Sequence, residues 1–174
     1  DGDGKTSAAV SVEAGAVLRS AAGGDVLLVA PRVLNQGRIE TPGGQAVLAA
    51  GDKVYLMSSA DPAQRGLIVA VDPVRLADGG IDRSLGTVEN RAAAGDPAAN
   101  PAVTPAATTA GAVVARLNEI RAERGSINLV GLTVRQNGVL NATTAVKGAN
   151  GSIQLQAMDG TVALAGGAAD TAPA

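Results

Sequence analysis

The 174-residue chain has no cysteine, no histidine, no phenylalanine and no tryptophan, and its one aromatic side chain is Tyr55. Without thiols or imidazoles it can form no disulfide, no thiol nucleophile, no imidazole base and no zinc site of the usual kind. Without aromatic faces it lacks the platforms on which sugars, bases or quaternary amines are stacked, so its core must be built from Val, Leu, Ile and Ala. No apolar run approaches membrane-spanning length. The net charge is −2, with Lys and Arg scattered singly, so no basic stripe is expected to neutralise phosphates and nucleic acid is not an expected partner. The chain begins at Asp1 without Met or a signal peptide, which reads as a piece of a larger, exported protein.

What is present is a repeated pattern. The stretch from Gly24 to Ala50, GDVLLVAPRVLNQGRIETPGGQAVLAA, alternates apolar residues (Val26, Leu28, Ala30; Val33; Ile39; Ala46, Leu48, Ala50) between Asn-Gln-Gly and Pro-Gly-Gly. That is the pattern of short strands joined by tight turns. A shift of 101 positions lays Gly24 on Gly125, Leu28 on Leu129, Val29 on Val130, Val33 on Val134 and Gly37 on Gly138. One cycle of strands and turns takes roughly twenty residues, a period that signals a solenoid whose coils bury their apolar side only by stacking. Period-two Val, Leu and Ile with Gly turns favour strands over helical or leucine-rich repeats. The expected fold is therefore all-β, a parallel β-helix over 1–174. At ~21 residues per coil and ~4.8 Å per stacked strand, the length outside the insertion predicts about seven coils and a rod on the order of 34 Å.

Along the chain, DGDGKT at the start has the first spacing of a calcium loop but lacks its later ligands, and reads as a polar end. Ala8 to Arg19 gives a first coil turning at Gly15. Val54 to Leu56 and Leu67 to Val71 read as further strands, and Gly86-Thr87-Val88 resumes the coil pattern. Gly15, Asn35, Gly37, Gly44, Asn90, Asn137, Gly138 and Gly151 are assigned as structural turns. At Asn35-Gln36-Gly37 and Asn137-Gly138, Gly or Asn is expected to take a positive φ, and a corner Asn amide can also bond to the equivalent residue of the next coil. Residues 92–116, rich in Ala, Pro and Thr, interrupt the repeat. Val88-Glu89-Asn90 looks like the first half of a Val-x-Asn-x-Gly-x-Ile turn that is completed only at Leu117 to Ile120. The segment is read as an extruded insertion, its second half admitting a short helix on Val113, Val114, Leu117 and Ile120 with Thr109 as N-cap. Residues 167–174 read as a linker or frayed end.

The run Val-x-Asn-x-Gly-x-Ile, Gly-Gly, Val-x-Leu-Ala-Ala-Gly-Asp-x-Val-x-Leu from Val33 to Leu56, together with GTVEN, EIRAERGSINLVG, VRQNGVL and NGSIQLQA, resembles the haemagglutination-activity or secretion domain of bacterial two-partner-secretion exoproteins, the filamentous haemagglutinin and high-molecular-weight adhesin family. The resemblance implies a right-handed parallel β-helix near the start of a long exoprotein. It further implies export to the periplasm, engagement by the periplasmic domains of an outer-membrane transporter, and a final location that is secreted or on the cell surface. The family's early Asn-Pro-Asn-Gly motif is absent, and the Ala/Pro insertion is not part of its pattern.

The function this predicts is a non-catalytic secretion and scaffold module, with no cofactor and no metal. One alternative is a direct adhesin surface that binds host glycans or a host cell surface. A β-helix polysaccharide lyase or hydrolase is the other, and would need carboxylates gathered with Lys or Arg on one cleft, whereas Asp52, Asp61, Asp72, Asp78 and Asp82 fall in turns and loops.

Overall fold

The structure, a computed structural model, describes residues 8–58, 66–82, 84–92, 119–142 and 152–164. The regular elements among them are all strands: β1 (Ala9–Val12), β2 (Val17–Arg19), β3 (Val26–Ala30), β4 (Arg32–Asn35), β5 (Arg38–Glu40), β6 (Gln45–Ala50), β7 (Lys53–Ser58), β8 (Leu67–Asp72), β9 (Thr87–Asn90), β10 (Glu119–Arg121), β11 (Ser126–Gln136), β12 (Val139–Asn141) and β13 (Ser152–Leu164).

Eleven of these strands form three parallel rows. The first row runs β1, β4, β9, then the second half of β11 and of β13; the second runs β2, β5, β10, β12; the third runs β3, β6, then the first halves of β11 and β13. The chain visits the rows in turn, so Val10 pairs with Val33, Val17 with Arg38 and Val26 with Ala46. Because β11 and β13 continue through a corner, the first and third rows are one seven-stranded sheet folded near Gly131 into a nearly closed, barrel-like wall. The four-stranded second row covers the remaining side of the same core.

Alternation decides which side chains enter that core. Val10, Val33, Val88 and Val134 form one inward column, Leu18, Ile39, Ile120 and Leu140 a second, and Leu28, Leu48, Leu129 and Leu155 a third. Fully burying one such side chain contributes roughly 1.5–3 kcal/mol, so a column of four aligned residues is a large share of a domain's net stability. A one-residue slip would turn every column outward, which fixes the register of each new strand on the last.

The sequence-level shift of 101 matches this stacking: Leu28 pairs with Leu48 and Leu48 with Leu129, while Val33 pairs with Val88 and Val88 with Val134. The shift is thus two steps along the stack. The expected seven coils are corrected to four among the described residues. The first row holds five strands, about 20 Å at the ordinary strand spacing. The difference arises at β7 and β8, which pair antiparallel as a separate two-stranded sheet and are not coil strands. Their Val54, Val69 and Val71 lie over the outward Val47, Ala49 and Val130 of the third row, so β6 is buried on both faces. Gln45 pins this hairpin: its amide nitrogen donates to the Leu67 carbonyl at 2.8 Å, and its oxygen accepts from the Leu67 amide at 2.7 Å.

Val88 pairs with Val33, Asn90 with Asn35 and Ile120 with Ile39, so β9 and β10 take the places on the stack that β4 and β5 hold one step earlier. Ile120 is a fully buried strand residue, which removes the last position of the expected helix. The remainder of the 92–116 insertion, from residue 93, lies outside the described residues, as do the 167–174 end, the opening DGDGKT motif and Gly151.

Candidate interaction surface

The turn residues divide by physical cause. Gly15 has φ +83 and open space around it, the conformational use of glycine. The positive φ expected in the Asn35-Gln36-Gly37 and Asn137-Gly138 turns is not found: positive values among the described residues fall on Gly15, Gly23, Gly43, Gly66, Gly79, Gly86 and Arg124. Gly37 is needed for close approach instead, since a Cβ there would come within 2.5 Å of the Ala16 carbonyl oxygen and 2.7 Å of the Glu13 carbonyl oxygen. Gly44 is likewise a contact position, its Cβ site occupied by the Gly24 carbonyl one coil earlier.

Asn35 and Asn90 are fully buried and meet across coils. Asn35 Nδ2 donates to Asn90 Oδ1 at 2.8 Å, and Asn90 Nδ2 donates to Gln136 Oε1 at 3.0 Å. Asn35 Oδ1 also accepts from the Gly37 amide at 3.2 Å. The next rung is thus Gln136 and not Asn137, which is exposed and contributes its backbone amide to the Asn90 carbonyl at 2.8 Å. The same column ends in apolar residues, Val12 at one end and Leu164 at the other.

Outward side chains form three different faces. On the third row, the β7–β8 hairpin covers part of the sheet and presents Tyr55, Met57 and Ile68 to solvent. The Tyr55 hydroxyl donates to Asp72 Oδ2 at 2.7 Å, which raises its pKa. On the second row, charges alternate: Arg38 Nε lies 2.8 Å from Glu40 Oε1 and 3.8 Å from Glu119 Oε2, Arg19 Nε lies 3.5 Å from Glu40 Oε2, and Arg121 pairs with Glu123.

The first row carries a groove of about 250 Å³ lined by Ser11, Arg32, Leu34, Thr87, Glu89 and Arg91, among others. On its β9 side Glu89 Oε1 accepts from Arg135 Nη1, beyond the groove lining, at 2.8 Å, and Glu89 Oε2 accepts from Arg91 Nε at 3.3 Å. Partial burial pushes the Glu89 carboxyl up, but the hydrogen bonds from Arg135 and Arg91, with their charges, outweigh it and hold the group below the usual carboxylate range. A carboxyl whose folded pKa is depressed contributes stability that is complete above its unfolded pKa and is lost as pH falls through the folded value. Glu89→Gln is therefore expected to lower stability at neutral pH slightly and to flatten its fall between about pH 5 and pH 3, read by denaturant midpoints across that window.

Sequence reasoning did not single out this cluster. Its arginines are scattered singly along the chain, and only the pairing of β4, β9 and β11 brings Arg32, Glu89, Arg91 and Arg135 to one face. The available signal was the outward position between the motif residues, Glu89 between Val88 and Asn90 and Arg135 between Val134 and Gln136. Of the loop aspartates, Asp52 and Asp72 are joined through their backbones at the hairpin base, where the Asp52 amide donates to the Asp72 carbonyl at 2.9 Å, and Asp61 lies outside the described residues. Among the described residues no three His, Cys, Asp or Glu side chains are placed to share a metal ion. No helix among them is long and apolar enough to cross a membrane.

Comparison of the chain with protein-family models, curated proteins and solved structures returns no match.

Proposed function

We propose that this chain is a right-handed parallel β-helix that serves as the non-catalytic secretion and scaffold module of an exported bacterial exoprotein of the two-partner-secretion type. In this reading its partner is the periplasmic portion of an outer-membrane transporter, reached on the way to the cell surface or the medium. The observation that carries it is the stacking of the motif-bearing strands in one register, Gly44-Gln45-Ala46-Val47-Leu48 on Gly125-Ser126-Ile127-Asn128-Leu129, around an aliphatic core. The right hand of the coil is supported by the strong preference of parallel crossovers for that hand. The differing outer faces support recognition, since a uniform rod would offer a partner no distinguishing surface.

The test is binding of the 174-residue chain to the periplasmic domains of a transporter encoded beside it, by titration calorimetry, followed by exchange of the outward residues of β3 to β6 for those of an unrelated β-helix. Binding at micromolar affinity, lost on exchange with the circular dichroism spectrum kept, is the expected result. No binding at about 100 μM transporter domain, a range in which even transient interfaces register, would overturn the reading.

A further inference from the structure

We propose that Asn137 is a self-modifying site, at which the chain's own backbone converts an amide into a carboxylate and so adds a negative charge to one corner of the stack as the folded protein ages. This goes beyond the secretion role and does not depend on it. The chemistry needs an asparagine whose side chain is free to turn back on its own backbone, followed by an amide nitrogen neither shielded by a Cβ nor held in a hydrogen bond. Asn137 is exposed, is followed by Gly138, and lies at the corner between β11 and β12. Its own amide is spent on the Asn90 carbonyl at 2.8 Å, but its side chain and the Gly138 amide have no hydrogen bond among the described residues.

The other described asparagines are each excluded by their surroundings. Asn35 and Asn90 are fully buried, hold one another in the amide ladder and are followed by Gln36 and Arg91. Asn128 is buried within β11, donates to the Leu67 carbonyl at 3.3 Å and precedes Leu129. Asn141 precedes Ala142, and its side-chain oxygen is buried. The two preceding coils carry Gln36 and Arg91 at the corner position that Asn137 occupies. The chain's second Asn-Gly pair, Asn150-Gly151, lies outside the described residues.

The reaction balances with water as its only co-reactant. Gly138 N loses its proton to solvent and attacks Asn137 Cγ, the Cγ–Nδ2 bond breaks, and Nδ2 leaves as ammonia, closing a succinimide ring. Water then opens the ring. Addition at Cγ gives aspartate with the main chain restored, whereas addition at the Asn137 carbonyl carbon gives isoaspartate, whose main chain runs through Cγ and is longer by one carbon. Either product places a carboxylate beside Arg91, at the ~4.8 Å strand spacing between backbones, because Asn137 follows Gln136 as Arg91 follows Asn90 in the paired register. Arg91 gives Nε to Glu89 and Nη1 to the Ala92 carbonyl, and keeps further donors for a second acid. Isoaspartate also lengthens the link into β12, whose Val139 pairs with Glu119. The corner thus records time in the folded state and changes the charge that its face presents to a partner.

The test is incubation of the folded 174-residue chain at mildly alkaline and at mildly acid pH, with the peptide from Gln136 to Lys147 released by trypsin and sequenced by mass spectrometry. A time-dependent amide-to-acid mass gain at Asn137, faster at the alkaline pH, is expected, with isoaspartyl methyltransferase labelling the isoaspartate. Asn141, in the same peptide, is expected to convert about tenfold or more slowly, and Gly138→Ala to slow Asn137 by about the same factor, since both put a Cβ beside the attacking nitrogen. No conversion at Asn137 under conditions that convert a synthetic peptide of the same residues, equal conversion of Asn141, or a rate unchanged by Gly138→Ala would overturn the proposal.

Discussion

Gly125→Ala is expected to unfold the chain or to lower its stability by about 3 kcal/mol or more, because the added methyl has nowhere to go. The site of its Cβ is filled by the carbonyl group of Gly44 one coil earlier, and backbone cannot rotate aside as a flexible side chain can. That carbonyl also accepts the Ser126 amide at 3.2 Å, so moving it breaks a bond between coils as well. Gly44→Ala meets the Gly24 carbonyl in the same way. Gly24 provides the internal control, for its nearest would-be contacts are the Ala21 carbonyl oxygen at 3.2 Å and Ser20 Cβ at 3.3 Å, so Gly24→Ala is expected to cost about 1 kcal/mol or less. Guanidinium denaturation midpoints for the three variants check the order. Equal midpoints would show that the coils are not held at this separation.

Asn90→Ala is expected to cost about 4 kcal/mol. Asn90 is the middle rung of the amide ladder, and its loss strands the Nδ2 of Asn35 and the Oε1 of Gln136 inside the core while opening a small cavity. Each stranded buried group costs about 1–3 kcal/mol, which exceeds the net gain of the bonds themselves. Replacing Asn35, Asn90 and Gln136 together by leucine is therefore expected to cost less than the single alanine. It leaves only the Gly37 amide without its Asn35 acceptor and extends a column already apolar at Val12 and Leu164. The comparison is made from denaturant midpoints with matching m-values. A triple variant less stable than Asn90→Ala would mean that the ladder contributes more than the absence of unpaired groups.

The stack was legible in the sequence where a residue's type and its spacing pointed the same way. Val33, Asn35 and Ile39 set a motif that Val88, Asn90 and Ile120 complete across the insertion, and the shared apolar phase predicted which faces would meet. The coil count was not legible, because β7 and β8 have the same period-two alternation as coil strands. Val69 and Val71 are buried and Val54 partly so, but against the outside of the wall, and alternation does not tell an inner layer from an outer one. The third rung of the ladder was masked by its neighbour: Asn137 looks like the counterpart of Asn35, whereas pairing puts Gln136 there. Gly37 reads as a left-handed turn by type, yet what requires it is another coil 21 or more residues away, which local spacing does not reveal. The Glu89–Arg135 pair is a product of strand pairing alone, each residue unremarkable in its own segment.

The hairpin leaves and rejoins the stack at one point. The Gly51 amide donates to the Ala30 carbonyl at 3.3 Å and the Gly86 amide donates to the Pro31 carbonyl at 2.6 Å, so consecutive carbonyls of the coil below hold both ends of the excursion. Between those anchors Val54, Val69 and Val71 pack on Val47, Ala49 and Val130, so the excursion is held along its length as well as at its base, and a foreign module put in its place would uncover the outer face of β6.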